Sequence, residues 1–292
     1  MFNVLNSILP TFIIILVGYI FGKLNKINFS SVVDLAFYAG TPSLIFVSLI
    51  HKKIVLLDAF KVWGASIIII LGCGAVAWIV FTILRQKHSG LYLPIMQMNA
   101  VNLAFPVIYF TYGSEGLIAA TLFAIPTSLF LYTLGIYIVA GKNWKKNIKE
   151  LFKIPMIYAL ILGLLFNLSD LEMPLLLTNS IEVLAMMGIP LVLLSLGYNL
   201  SRAEMTSLPT TLLASFLRVG VGFLFGLLAV EALNITGIFR SVVILESVMP
   251  SAVLASLITA KYNREADLVA SVIFVTTIVA LLTVPFILNI LA

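Results

Sequence analysis

The sequence predicts an all-α polytopic membrane protein: ten transmembrane helices in two halves of five, the second half inverted relative to the first, with helices 4 and 9 interrupted near mid-membrane. Three observations carry this expectation. The 292 residues are 62% hydrophobic and only 10% charged, with a mean hydropathy of +1.16. The apolar runs recur at about 20 residues, the length that crosses about 30 Å of hydrocarbon. Short stretches of the first half also reappear in the second at a nearly constant offset.

Ten segments can be drawn: 5–23, 30–50, 59–84, 89–112, 115–140, 154–169, 176–199, 207–230, 237–261 and 266–291. A transmembrane β-barrel would instead show alternating segments of about 10 residues, a pattern absent from this sequence. Helix 1 begins without Lys or Arg among the first seven residues, so it lacks the basic start of a signal peptide and reads as a retained span. Helices 2 and 7 open on Ser31-x-x-Asp34 and Asn179-x-x-Glu182, which read as capping boxes with the acid in the first turn. Glu115 and Glu265 fall near the starts of helices 5 and 10 and are read in the same way. Helix 3 is an unbroken apolar run around Cys73, the one cysteine of the chain, so no disulfide framework or thiolate metal site can form within it. His51 and His88 lie in separate connections, which argues against a zinc site. The longest and most basic connection is GKNWKKNIKELFK, 141–153.

Charge sets the expected orientation. With the N-terminus outside, the cytoplasmic connections hold 12 Lys and Arg residues and the outer ones hold 4. The positive-inside rule therefore places both termini outside and the 141–153 loop in the cytoplasm. The net charge of +5 is accounted for by this distribution and does not point to nucleic acid.

The internal repeat is legible in particular residues. LPTFIIILVG of helix 1 and IPMIYALILG of helix 6 both place a proline eight residues before a glycine, Pro10 with Gly18 and Pro155 with Gly163. SVVDLAFYAGTP of helix 2 and NSIEVLAMMGIP of helix 7 both place an acid eight residues before a proline, Asp34 with Pro42 and Glu182 with Pro190. YGSEGLIAATLF and YNREADLVASVIF align Tyr112 with Tyr262, an offset of 150. Because five is odd, the second copy must enter the membrane upside down. That architecture is typical of secondary transporters, with a site near the midplane at discontinuous helices.

Polar residues at membrane depth need a reason. Glu246 lies about nine residues into helix 9, about 14 Å deep. Arg218 lies about eleven residues into helix 8, and Asn99 about ten into helix 4, so all three share one level. Arg218 and Glu246 suit a buried pair, either structural or engaged in substrate or proton binding. Helix 4 also carries Asn102 and Pro106 in MNAVNLAFP, and helix 9 carries Ser247, Pro250 and Ser251 in SVMPSAVLAS. Prolines remove backbone donors and free carbonyls. The expected breaks are 99–106 and 250–256. Broken helices in a membrane are tolerated only against protein or a wet cavity. Half-helix N-termini with Asn99, Asn102, Ser247 and Ser251 would offer such a cavity N–H donors and hydrogen bonds for an anion.

With these motifs in order, the chain resembles the auxin efflux carrier family, which includes bacterial malate/malonate-type permeases and plant auxin exporters. MNAVNLAFP keeps the family's asparagine seven residues before a proline, as Asn99 and Pro106. Glu246, Pro250, Lys261, Tyr262 and Asn263 follow the plant helix-9 pattern, with Glu246 where plant members have glutamine. LPTFIIILVGYIFGKL, TPSLIFVSL, TYGSEGL and IPLVLLSLGYNL extend the likeness over essentially the full length. The resemblance implies crossed helices 4 and 9, as in NhaA-like and bile-acid-symporter-like folds. It implies a transport domain of helices 3–5 and 8–10 (54–141 and 205–292), moving as an elevator against a scaffold of helices 1, 2, 6 and 7 (1–53 and 154–204). Residues 142–153 form the basic loop between the halves. It further implies a small organic anion as substrate, often in a homodimer in the cell membrane.

The expected function is therefore secondary transport of a mono- or dicarboxylate, with Glu246 as the candidate for proton coupling and no bound cofactor or metal. A sodium-coupled symporter of the same architecture is the alternative, its Na⁺ held by carbonyls freed at the breaks together with Glu246. A non-transporting membrane sensor is a third reading. An enzyme is not expected, since no nucleophile with a base and no clustered metal ligands occur.

Overall fold

The long apolar stretches fold as helices throughout, as they must where no water is available to satisfy backbone groups. The computed structural model describes residues 2–24, 29–50, 54–140, 155–169, 173–202 and 205–291. His51 and the whole of the basic connection 141–153 lie outside the described residues. The helices in chain order are α1 (Phe2–Leu24), α2 (Ser30–Leu35), α3 (Thr41–Ile50), α4 (Leu56–Ile83), α5 (Tyr92–Met96), α6 (Ala104–Phe130), α7 (Ile136–Ala140), α8 (Pro155–Leu168), α9 (Leu175–Ser201), α10 (Leu208–Ala232), α11 (Gly237–Ser247), α12 (Leu254–Lys261) and α13 (Ala266–Leu291). A π-helical turn, Ala36–Gly40, joins α2 to α3, and another, Leu131–Gly135, joins α6 to α7. No strand occurs among the described residues. The one β-type contact is an isolated antiparallel bridge between Met98 and Ser251.

Among the described residues, six helical stretches are long and apolar enough to cross a membrane: Ser31–Ile50, Leu56–Ile83, Ala104–Ala140, Leu175–Ser201, Leu208–Ala232 and Ala266–Leu291. Their outward faces carry large apolar side chains such as Trp78, Phe216, Leu282 and Phe286. This is a multi-pass membrane protein.

The sequence segments and the helices agree closely except at the two predicted breaks. In helix 4 the break covers 97–103, from the end of α5 to the start of α6, and in helix 9 it covers 248–253, between α11 and α12. Both begin two residues earlier than the prolines suggested. Pro106 is the third residue of α6, in the first turn, where an N–H would have no intrahelical acceptor and its loss costs little. Ser256 likewise lies inside α12. Pro250 does sit in its break.

Helix–helix contacts are set by small residues. Gly40 and Gly188 meet backbone to backbone, and a Cβ on Gly40 would come within 2.8 Å of the Gly188 Cα. Gly18 of α1 faces the main chain of Leu194 on α9, and Gly163 of α8 faces the side chain of Leu49 on α3. Around the breaks, α4 packs on α10 and α6, α6 on α11, and α10 on α13. Gly113 breaks the helical path inside α6 with φ 65°, so residues 104–112 and 114–130 run in different directions. Asn263, at the same place after its tyrosine in the second half, has φ 52°.

Two of the capping assignments change. Glu182 is the eighth residue of α9, because that helix begins at Leu175 rather than next to Asn179, so it lies beyond the first turn. Asp34 is the fifth residue of a helix that begins at Ser30. Glu265 holds a neighbouring segment: its carboxylate accepts the Gly90 N–H at 2.7 Å and bonds His88 Nδ1 at 2.8 Å. That contact ties the segment leading into α5 to the start of α13.

Candidate functional site

The two interrupted stretches cross and hold each other through their main chains. The Asn99 N–H donates to the Pro250 carbonyl at 2.7 Å, and the Ala252 N–H donates to the Gln97 carbonyl at 2.9 Å, one on each side of the Met98–Ser251 bridge. Backbone groups freed by breaking each helix thus find partners in the other, which is what a membrane interior demands.

On one side of this crossing lies a cavity of about 110 Å³. One wall is the broken segments, Gln97–Asn102 and Ala252–Leu254, with Thr127 and Tyr132. The opposite wall comes from α2, α3, α8 and α9 and includes Thr41, Met156, Ser195 and Asn199. The starts of α6 and α12 follow directly on the lining segments, but their first-turn N–H groups are largely taken by those segments: Ala104, Phe105 and Val107 donate to the carbonyls of Asn99, Val101 and Leu103, and Ala255 and Ser256 to those of Ala252 and Val253. A second, larger space of about 490 Å³ adjoins it, sharing Val33, Leu196, Asn199, Val253 and Leu257, and reaches Asp34, Tyr198 and Arg202.

Asn99 is the most exactly placed residue of the cavity wall. It is 4% exposed. Its Oδ1 accepts the Asn102 N–H at 3.0 Å, which fixes the amide so that Nδ2 is the atom left over. Nδ2 is buried with no hydrogen-bond partner among the described residues. Buried amides are normally satisfied, and one that is not marks a position for a ligand or water. Asn102 also lines the cavity and is partly exposed.

Other predicted site residues lie away from the cavity. Ser247 and Ser251 are fully buried. Ser251 Oγ donates to the Pro94 carbonyl at 2.7 Å and its N–H to Thr276 Oγ1 at 3.1 Å, while Ser247 Oγ donates to the Ile244 carbonyl at 2.6 Å. Ser251 thus ties the crossing to α5 and α13, while the Ser247 hydroxyl closes on its own helix. Pro250 contributes its carbonyl to Asn99, and Pro106 lines a small separate recess.

Arg218 and Glu246 are both fully buried, yet they form no ion pair with each other. Arg218 Nη2 donates to the Ser247 carbonyl at 2.7 Å, and Nη1 donates to the carbonyls of Ile95 at 3.1 Å and Met96 at 3.4 Å. The guanidinium therefore bridges the C-terminal ends of α11 and α5. Neither carboxylate oxygen of Glu246 has a hydrogen-bond partner among the described residues. Among those residues, no cluster of three His, Cys, Asp or Glu could hold a metal ion.

Gln97, Thr127, Ser195 and Asn199 also line the cavity and carry no signal in the sequence. None breaks a helix or carries charge, so nothing local distinguishes them. They become site residues only because α6 and α9 are brought opposite each other.

The model of the membrane transport protein family matches residues 142–288, half of the chain. The chain belongs to this family, that of the auxin efflux carriers. Two curated relatives extend the likeness to the first half. An uncharacterized transporter of Methanothermobacter thermautotrophicus is 29% identical over 292 residues, covering 96% of this chain and 95% of that protein. An uncharacterized transporter of Methanocaldococcus jannaschii, MJ1031, is 29% identical over 297 residues, covering 96% of each. This family member is a membrane transporter and not an enzyme, as its sequence led us to expect.

Proposed function

We propose that this transporter carries a small organic anion, a mono- or dicarboxylate such as malate, malonate or an auxin-like acid, by elevator-type alternating access. The observation that carries the reading is the Asn99 side chain, whose Nδ2 is buried without a partner among the described residues, in the wall of a cavity lined by both broken segments. An amide donor beside the starts of two half-helices suits a carboxylate, because helix starts favour negative charge even where their N–H groups are paired. The volume of about 110 Å³ suits a small acid rather than a lipid or peptide.

On this reading the chain spans the cell membrane ten times as a five-plus-five inverted repeat, with both termini outside. Three observations support the repeat. Gly40 meets Gly188, its counterpart. Asn99 bonds Pro250 in antiparallel sense, and these positions nearly coincide when the halves are aligned. Gly113 and Asn263, 150 apart, share a left-handed backbone. Residues 54–141 and 205–292 would move against 1–53 and 154–204, with the cavity at the boundary, and the assembly would be a homodimer. The adjoining space near Arg202 lies on the side that charge counting assigns to the cytoplasm, so the conformation is inward-facing. Glu246 is the group we assign to proton linkage, as a buried carboxyl at the level of the crossing that makes no hydrogen bond to described residues.

Counterflow in proteoliposomes against a panel of mono- and dicarboxylates, at several pH values and with or without sodium, tests this. Exchange of a labelled carboxylate is the expected result. A panel in which only cations or neutral solutes exchange would reject the anion reading.

A further inference from the structure

We propose that Arg218 is a tethered cation that takes the place of a bound alkali ion at the helix crossing, so that this transporter folds and binds without sodium. This deepens the carrier reading and rests on it for its meaning, but its test needs no substrate.

Breaking helices 4 and 9 leaves C-terminal ends at Met96 and Ser247. Helix C-terminal ends carry negative partial charge and unpaired carbonyls, so two ends brought together favour a cation between them. Exposed carbonyls of unwound helices are also the oxygen donors by which broken-helix transporters ligate Na⁺. In this chain those oxygens are already engaged. Ile95, Met96 and Ser247 all accept from the one guanidinium, at 3.1, 3.4 and 2.7 Å. Arginine stays charged in a protein, and its planar fork reaches two helix ends at once.

The surrounding sequence is built around this placement. Arg218, Gly222 and Gly226 recur every fourth residue on one face of α10. A Cβ on Gly222 would crowd both the Arg218 Nη2 and the Ser247 carbonyl, and one on Gly226 would crowd the Ser247 side chain. The two glycines let the end of α11 settle onto α10 with the guanidinium in the seam. Glu246 is the acidic neighbour in sequence, and its oxygens do not hydrogen-bond Arg218. The hydrogen bonds of the guanidinium therefore go to carbonyls, with the Glu246 carboxyl a nearby charge and not a bonded partner.

The test is thermal unfolding of the purified full-length protein in detergent, in sodium, potassium or choline chloride at equal ionic strength. Wild type and Arg218→Lys should unfold at the same temperature in all three salts. Arg218→Met should be less stable in choline and regain about 3–6 °C in about 200 mM sodium. A purely structural arginine would leave that variant indifferent to the cation. The proposal is overturned if wild type is stabilised by sodium over choline, or if folded Arg218→Met responds to neither alkali ion. Should Arg218→Met fail to fold, Gly222→Ala is the second variant, since it displaces the guanidinium without removing it. Sodium-specific stabilisation of Gly222→Ala is then the supporting result, and its absence the opposing one. A negative outcome would leave the carboxylate counterflow result standing, and a failed counterflow would leave this one standing.

Discussion

The backbone N–H of Asn99 donates to the carbonyl of Pro250 at 2.7 Å, joining the gap in helix 4 to the gap in helix 9. One hydrogen bond thereby satisfies a donor from one interruption with an acceptor from the other. It also holds Asn99 in the cavity wall. The same bond links the stability of the crossing to the geometry of the site.

Asn99→Ala should weaken carboxylate binding about ten- to a hundredfold, the worth of a hydrogen bond to a charged group. Asn102→Ala should cost less, because Asn102 is partly exposed and its fixed group is the backbone N–H that bonds Asn99. Equilibrium binding to the detergent-solubilised protein checks both. Equal affinity in wild type and Asn99→Ala would remove Asn99 from the site.

Ser251→Ala should behave differently. Its hydroxyl satisfies the Pro94 carbonyl in a fully buried place, so its loss should lower stability by about 1–3 kcal/mol while leaving substrate affinity nearly unchanged. Thermal unfolding alongside a binding curve separates the two effects. A large affinity loss at full stability would return Ser251 to the binding site.

Met98 and Ser251, flanked by the two hydrogen bonds of an antiparallel bridge, form a non-hydrogen-bonded pair, the closer of the two pair types, with Cα atoms about 4.5 Å apart. Met98→Cys with Ser251→Cys, in a background lacking Cys73, should form a disulfide under mild oxidation. With a protease site introduced in the 141–153 connection, the two halves should remain joined after cleavage until reduced. Separation without reductant would show that the gaps do not cross as described.

Gly40→Val should destabilise the protein markedly, since a Cβ there meets the Gly188 backbone rather than a side chain that could move. Overpacking of this kind costs about 1–3 kcal/mol, a drop of roughly 2–12 °C in unfolding midpoint for a chain of this size. Gly220→Ala, whose Cβ meets only the exposed Phe216 ring, is the control and should shift the midpoint little. Equal midpoints for the two variants would refute the close helix contact.

Glu246→Gln keeps the size of a fully buried side chain and removes its proton. It should abolish the response of uptake to an imposed pH gradient while leaving counterflow and binding measurable. Proteoliposome uptake that keeps its pH dependence in this variant would rule Glu246 out as the coupling group.

Much of this molecule was legible in its sequence. Length and hydropathy determined the helices, because in hydrocarbon a chain has no other way to satisfy its backbone; α13 spans the very residues drawn for it, 266–291. Repeated spacings such as Asp34 to Pro42 and Glu182 to Pro190 marked the corresponding halves. Asn99, Glu246 and Arg218 stood out because polarity at that depth is costly. What the sequence could not determine is which atoms meet. Pro106 looked like the point of fracture, but a proline fits as well in a first turn as at a break, and only the backbone path distinguishes them. Ser251 looked like a ligand to substrate until α5 was packed beside it and supplied the Pro94 carbonyl. Arg218 looked like the partner of Glu246, two unlike charges at one depth. The packing of α10 against the ends of α5 and α11 sent it instead to three carbonyls. Burial cost follows from a residue's own chemistry and so is written locally, whereas the partner that offsets it comes from elsewhere in the chain and exists only once the helices cross.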